Sequence, residues 1–347
     1  MNLKTFPGVL VFATLILTFS CTSHPKNDQV AEFKTFPKEY QLTSQTEEWL
    51  DIWLCGDLRI YDSILVAISW QSEKFIQVYD LKSKSRIGAF GTEGKGPNEF
   101  FGNVQLTPVF FHEGTDLIIQ IHESGRKILR NINLTQSMAT GKVVTQDTFT
   151  IPEEFDVRTP FRTSDSKVFG VKKSVLRMID PVTHDTIRFN DPIQFVQKLP
   201  PVKNFEYIAS LMYLELSPRQ DRIVGYFHLM KRLHVYNTRG DLLKVIKEPG
   251  NHVFDTSDGQ IYTRNKVCFS NSFLSDKYIL VLNQDRLLAT EAPGKLLLFD
   301  YQGKAIARYK LDCWIRLGAM DWKAKRFYSF SYKEKAMISF ALEGIEE

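Results

Sequence analysis

The sequence predicts an all-β protein, a six-bladed β-propeller closed by an N-terminal strand completing the last blade. One unit, a short apolar strand, an Asp or Asn, a polar turn and a second strand, recurs along the chain, and its sixth copy stops at Glu347 one strand short of a full blade. Within each unit the apolar period is two, with no sustained 3.6-residue pattern, which excludes helical solenoids.

The units are anchored at Asp80 in IQVYDLKSKSRIGAF, Asn133 in ILRNINLTQSMATGKVV, Asp180 in VLRMIDPVTHDTIRF, Asn237 in LHVYNTRGDLLKVI and Asp300 in LLLFDYQGKAIARY. An Asx side chain bonds the backbone two residues on and starts a turn, and Gly240 and Gly303 supply the left-handed residue that closes such a hairpin. Each unit is preceded by another strand: SILVAIS (63–69), DLIIQIH (116–122), SKVFGVK (166–172), DRIVGYF (221–227) and DKYILVL (276–282). The sixth copy is KRFYSFS (325–331) followed by KAMISFALE. The anchors, with Ala341 as the sixth, are spaced at roughly the size of a four-stranded blade. A radial array does not leave an edge open, so another segment must complete blade six. KEYQLT, Lys38 to Thr43, has strand-like alternation and lies ahead of blade one, and it is expected to supply that strand.

Between blades one and two runs IGAFGTEGKGPNEF, Ile87 to Phe100, with four glycines. A nucleotide phosphate loop needs Ser or Thr after its lysine, whereas Lys95 is followed by Gly96. The dinucleotide fingerprint is G-x-G-x-x-G ahead of a helix; here the order is G-x-x-G-x-G, then Pro97 and a β-branched, aromatic run. The stretch therefore reads as a connecting turn that returns the chain from the rim to the axis. Taken together, IQVYD and FGTEGKGPNEF resemble the NHL-type and TolB-like six-bladed propellers, in which an F-G-x-x-G-x-G-P-x-E-F connection recurs. The resemblance covers Ile76 to Phe101, with a faint echo in KEPGN at 247–251, and it implies the propeller fold and an envelope location.

The chain opens with Lys4 and the eleven-residue run VLVFATLILTF, which matches the apolar core of a secretory signal and is too short to span a bilayer. Ser20-Cys21 after it resembles the lipobox of bacterial lipoproteins, in which Cys21 would be lipidated; plain secretion with cleavage near Ser20 is the other reading. The expected organisation is a signal peptide at 1–20, a tether at 21–32 and the propeller at 33–347. Net charge is +4 without a basic block, so composition gives no support for nucleic acid, and membrane contact is expected through the lipid anchor alone. Cys55, Cys268 and Cys313 have no C-x-x-C spacing and read as buried free thiols.

In a propeller, ligands usually sit over the axis on the face formed by the second-to-third-strand loops and the blade-to-blade connections. On this register that face carries Trp70, Lys95, His122, Lys173, His228, Asn283, Arg286 and Tyr332. The longest such loop, NQDRLLATEAPGK (283–295), reads either as a short helix capping the channel and displaying Arg286 and Glu291 or as an exposed insertion. His122 and His228 fall at equivalent positions two blades apart, yet no third metal ligand can be named, and no metal or other cofactor is expected. No nucleophile or zincin motif is present and catalytic residues stay unassigned. The expected function is an envelope-anchored, non-catalytic lipoprotein, a monomer in the periplasm or at the cell surface, whose propeller face binds a protein or a glycan. The alternative is a metal-dependent hydrolase or lyase with its site at the axis, drawing on His122, His228 and Asn283.

Overall fold

A computed structural model describes residues 27–346 except 53, 71, 154, 156, 173–174, 181–182, 184, 190–210, 251–253, 256–263 and 289. Six small antiparallel sheets form the six blades of the propeller. Blade one is Cys55–Tyr61, Ile64–Ser69, Ile76–Asp80 and Ser85–Phe90; blade two is Val104–Glu113, Asp116–Glu123, Ile128–Asn133 and Thr145–Thr150. Blade three is Arg158–Arg162, Val168–Lys172, Val175–Ile179 and Thr186–Arg188; blade four is Met212–Leu216, Arg222–Phe227, Arg232–Asn237 and Leu242–Lys247. Blade five is Lys266–Leu274, Tyr278–Leu287, Lys295–Asp300 and Ala305–Lys310; blade six is Gly318–Asp321, Arg326–Ser331 and Ala336–Ala341 with Gln45–Thr46 as its outer strand.

The anchors behave as their chemistry requires. Asp300 Oδ1 accepts from the backbone N–H groups of Gln302 and Lys304, both at 2.9 Å, and Asn237 Oδ1 accepts from those of Arg239 and Asp241 at the same distance. Gly240 and Gly303 follow at φ +85°, where a Cβ would be strained. Asn133 departs from this pattern. Its side chain accepts from Gln136 N at 2.9 Å and caps a short helix, Leu134–Thr140, which ends at Gly141 in the left-handed conformation.

Closure comes from the N-terminal segment, with a different division of labour from the one expected. Lys38–Gln41 pairs in parallel with Ala305–Lys310, adding a fifth strand to blade five, and Gln45–Thr46 pairs with Ser339 and Ile338 to complete blade six. Val30–Glu32, expected in the tether, pairs in parallel with Leu242–Lys247 on blade four. The reason is packing. Buried Phe33 and Phe36 bring their rings to 5.0 and 5.4 Å from that of Phe299, Arg308 lies over Phe36, and Tyr40 stacks on Tyr309, so the segment is fixed on blade five before it reaches blade six. Glu47 then locks the closing strand: its N–H donates to Met337 O at 2.9 Å, and its carboxylate accepts from Ser339 Oγ.

Cys55 and Cys268 are buried thiols and Cys313 is half-buried, none of them in a disulfide. The signal-peptide run and Cys21 lie outside the described residues.

Candidate functional site

The glycine-rich connection is filled by its own side chains. Glu99 turns back so that its carboxylate accepts from Gly96 N at 2.7 Å, the place an anion would occupy, and a Cβ on Gly94 would overlap that carboxylate. Arg126 donates to Glu99 O at 2.8 Å and to Gly96 O at 3.1 Å, and Arg130 donates to Pro97 O at 3.4 Å. Both guanidinium groups are held by fully buried Glu123, at 2.8 and 2.6 Å. Gly94, Gly96, Pro97 and Glu99 thus have internal roles, and the connection is a turn.

The upper face, made by the second-to-third-strand loops, does not gather the expected residues into one site. Trp70 is 38% exposed and packs edge-on against Phe75, and Lys95 lies 5.2 Å above the Phe101 ring. His122 belongs to the strand Asp116–Glu123, where burial pushes its imidazole down to about 4. His228 is wedged between blades four and five, with Nδ1 3.1 Å from Phe269 O, and burial lowers it as well. Among the described residues no three His, Cys, Asp or Glu side chains converge in a metal-binding group. Lys173 lies outside the described residues.

Arg286 and Tyr332 do meet, through Trp314: the guanidinium stands 5.0 Å from that indole and the phenol ring 5.7 Å. Tyr332 also donates to Cys55 O at 3.2 Å, bridging blade six to blade one. Arg286 is not displayed on a helix. The second strand of blade five runs on to Leu287, because bulges in Lys266–Leu274 keep the two strands paired up to Lys266↔Leu287. Arg286 is therefore buried and donates to the carbonyls of Leu287, Leu288 and Thr290. Asn283, equally buried, lines a small cavity between blades four and five.

A cavity opens on the opposite, lower face, at the axis. It measures about 260 Å3 and is lined by the ends of the inner strands and the loops after them in blades one, two, four, five and six. Its walls are aromatic. Tyr61 stacks on Phe110 at 5.4 Å with the planes 3° apart, Trp322 stacks on Tyr278 at 6.3 Å, and Phe273 contributes a buried ring. Its floor is charged. Arg59 Nη1 meets Glu215 Oε1 at 2.5 Å, and Asp57, two residues before Arg59 on the same side of the strand, accepts from Leu58 N and from Leu106 N of blade two, both at 2.8 Å. Burial raises the carboxyls of both Asp57 and Glu215 against the pull of Arg59, since two acids share one guanidinium there; Arg59 keeps its charge. Arg59 Nε, also buried, has no acceptor among the described residues.

Fold and cavity together define the class: a six-bladed β-propeller with an aromatic-walled axial mouth. Among solved structures the fold is similar to a member of the DUF4221 family from Bacteroides vulgatus, at 10% identity over 86% of this chain and 95% of that one, with a TM-score of 0.53. It is similar also to a candidate exported protein of Bacteroides fragilis, at 12% identity over 90% of this chain and 97% of that one, with a TM-score of 0.51. No protein-family model and no curated protein matches the chain.

Proposed function

We propose that this chain is an exported, non-catalytic binding propeller, related to the TolB-like and NHL-type propellers through its Ile76 to Phe101 stretch, that takes a glycan into the lower axial mouth. The axial cavity carries the reading. Aromatic faces at Tyr61, Phe110 and Trp322 suit the C–H faces of a sugar ring, and Ser217, Gln220 and Asp321 edge the mouth with polar groups. A volume of about 260 Å3 suits a terminal saccharide better than a folded protein surface. Binding of the mature chain to a glycan array, followed by titration calorimetry of any hit, tests this. Trp322→Ala should weaken the hit about ten-fold or more, the loss of one stacking face; an array without hits, or a hit indifferent to Trp322→Ala, overturns the assignment.

Anchoring through Cys21 is part of the same proposal, supported by the short apolar run before it. Cys21→Ala should move the folded protein from the membrane fraction to the soluble one. Retention at the membrane after signal cleavage would show that something other than lipid holds it.

A further inference from the structure

The axial mouth has one charge left over. Blade six turns at DWKAK, where Asp321, the last residue of its inner strand, accepts through Oδ1 from Ala324 N at 2.8 Å and so starts the hairpin. The turn brings Asp321, Trp322 and Lys323 to the wall of the cavity together. Asp321 is set deep in that wall, only 6% exposed. Its second oxygen, Oδ2, has no hydrogen-bond donor among the described residues and yet is not sealed from solvent, so the space it reaches is the cavity that the residue lines.

The other charges of the mouth pair off. Arg59 takes Glu215 at the floor, and Lys323 takes Asp62 at 3.6 Å on the rim, where both side chains are exposed. Asp321 makes no ion pair among the described residues. A carboxylate this deeply buried is costly without a counter-ion, because the attraction that would offset its lost hydration is missing. The walls around it are aromatic, Trp322 and Tyr61 among them, and the face of such a ring attracts a cation within about 6 Å of its centre. Both features select the same chemistry, a positive charge on a ring with apolar faces.

We infer that the sugar taken into the lower axial mouth carries a free ammonium group, as an unacylated amino sugar does, with the ammonium on Asp321 Oδ2 and the ring against the aromatic wall. This rests on the mouth being a glycan site and adds the class of glycan. A hydroxyl at the same carbon also donates to Oδ2, but it leaves the charge of the carboxylate uncompensated. An acetamide has the same deficit and brings an acyl group that a cavity of about 260 Å3 must also hold. A sugar acid sets a like charge beside Asp321.

Ligand-observed NMR titration of the mature chain tests this with the methyl glycosides of glucose, galactose and mannose, each carrying a hydroxyl, an acetamide or a free amine at C2. In at least one series the amine should bind about ten-fold more tightly than its counterparts, the gain of a charge-assisted contact over a neutral donor. Asp321→Asn keeps an acceptor for Ala324 N–H, and with it the turn, but removes the charge; it should bring the members of that series to similar affinity. The ranking in the parent chain decides the matter even if the variant fails to fold. Neutral forms binding as tightly as the amine, or an amine preference that survives in Asp321→Asn, overturns the inference and leaves the glycan reading standing. Binding by no form of any series removes the ammonium assignment, and a glycan array without hits removes the glycan reading with it.

Discussion

Arg59 of blade one and Glu215 of blade four meet across the propeller axis, with Nη1 2.5 Å from Oε1. In a ring of six, blades one and four are opposite one another, so this single ion pair spans the channel and forms the floor of the axial mouth. Glu215 is 6% exposed, and its charge is compensated chiefly by that one guanidinium.

Removing one partner should therefore cost far more than replacing both. Arg59→Ala leaves the Asp57 and Glu215 carboxyls buried together without a cation, and the expected loss is about 3–5 kcal/mol. Arg59→Met with Glu215→Leu fills the same space with apolar groups and leaves Asp57, held by two backbone N–H groups, as the one acid, so it should cost less than Arg59→Ala. Urea unfolding of Arg59→Met, Glu215→Leu and the double variant measures the coupling. Additive losses would mean that the pair does not act as a unit.

The same triad gives a pH dependence of definite sign. The folded-state pKa values of Asp57 and Glu215 are raised above their ordinary 3.8 and 4.5, so the folded chain holds protons that the unfolded chain releases. Their contribution is complete below the ordinary carboxylate range and is lost as pH rises through the raised folded values. Glu215→Gln keeps an acceptor for Arg59 and removes one of the two acids, so it should flatten that decline. The urea midpoint followed from pH 4 to 8 checks this, and an unchanged slope in the variant would show that Glu215 does not titrate in the window.

Most of the fold was legible because it is written in local chemistry. Asp80, Asn237 and Asp300 each start a turn through their own side chains, and the short apolar strands beside them recur in a fixed order, so blade number and strand order follow from a single pass along the chain. The closing strand was harder. Gln45–Thr46 is too short to show alternation, and what directs Lys38–Gln41 to blade five is the long-range contact of Phe33 and Phe36 with Phe299. The axial mouth was missed although a signal existed: in CGDLRIY, Asp57 and Arg59 alternate with Leu58 and Ile60, and on an inner strand of a propeller that pattern sends the charges to one side. Their partner Glu215 lies 156 residues away, a pairing that no local pattern encodes.

The glycine connection makes a second stability prediction. Glu99→Ala removes the acceptor of Gly96 N–H and should cost about 1–2 kcal/mol. Arg126→Ala should cost more, about 3 kcal/mol, because it strips several loop carbonyls of their donor and leaves Glu123 with one guanidinium, Arg130, and the Phe101 N–H. Thermal midpoints of the two variants, measured side by side, settle the order. Arg126→Ala proving the milder change would mean that the loop is held chiefly by Glu99.

The N-terminal segment does two separable jobs, and graded truncation should separate them. Deleting the chain up to residue 37 removes the Val30–Glu32 strand with Phe33 and Phe36, each 7% exposed or less, and forfeits about 3–6 kcal/mol of apolar burial while Gln45–Thr46 still covers blade six. Deleting up to residue 43 also removes the parallel strand from blade five, lowering the midpoint further, yet the ring stays closed. Deleting up to residue 46 adds a ladder of only two residue pairs, about 1 kcal/mol for each hydrogen bond lost. That last step, the smallest in energy, uncovers the outer edge of Ala336–Ala341, and an open edge of this kind templates pairing with other chains. Thermal midpoints should therefore fall mainly over the first two truncations, while light scattering at a fixed concentration should rise only at the third. Aggregation beginning with the deletion to residue 43 would assign closure to Lys38–Gln41 after all, and a third truncation that stays monomeric would show that the edge of blade six is protected by some other means.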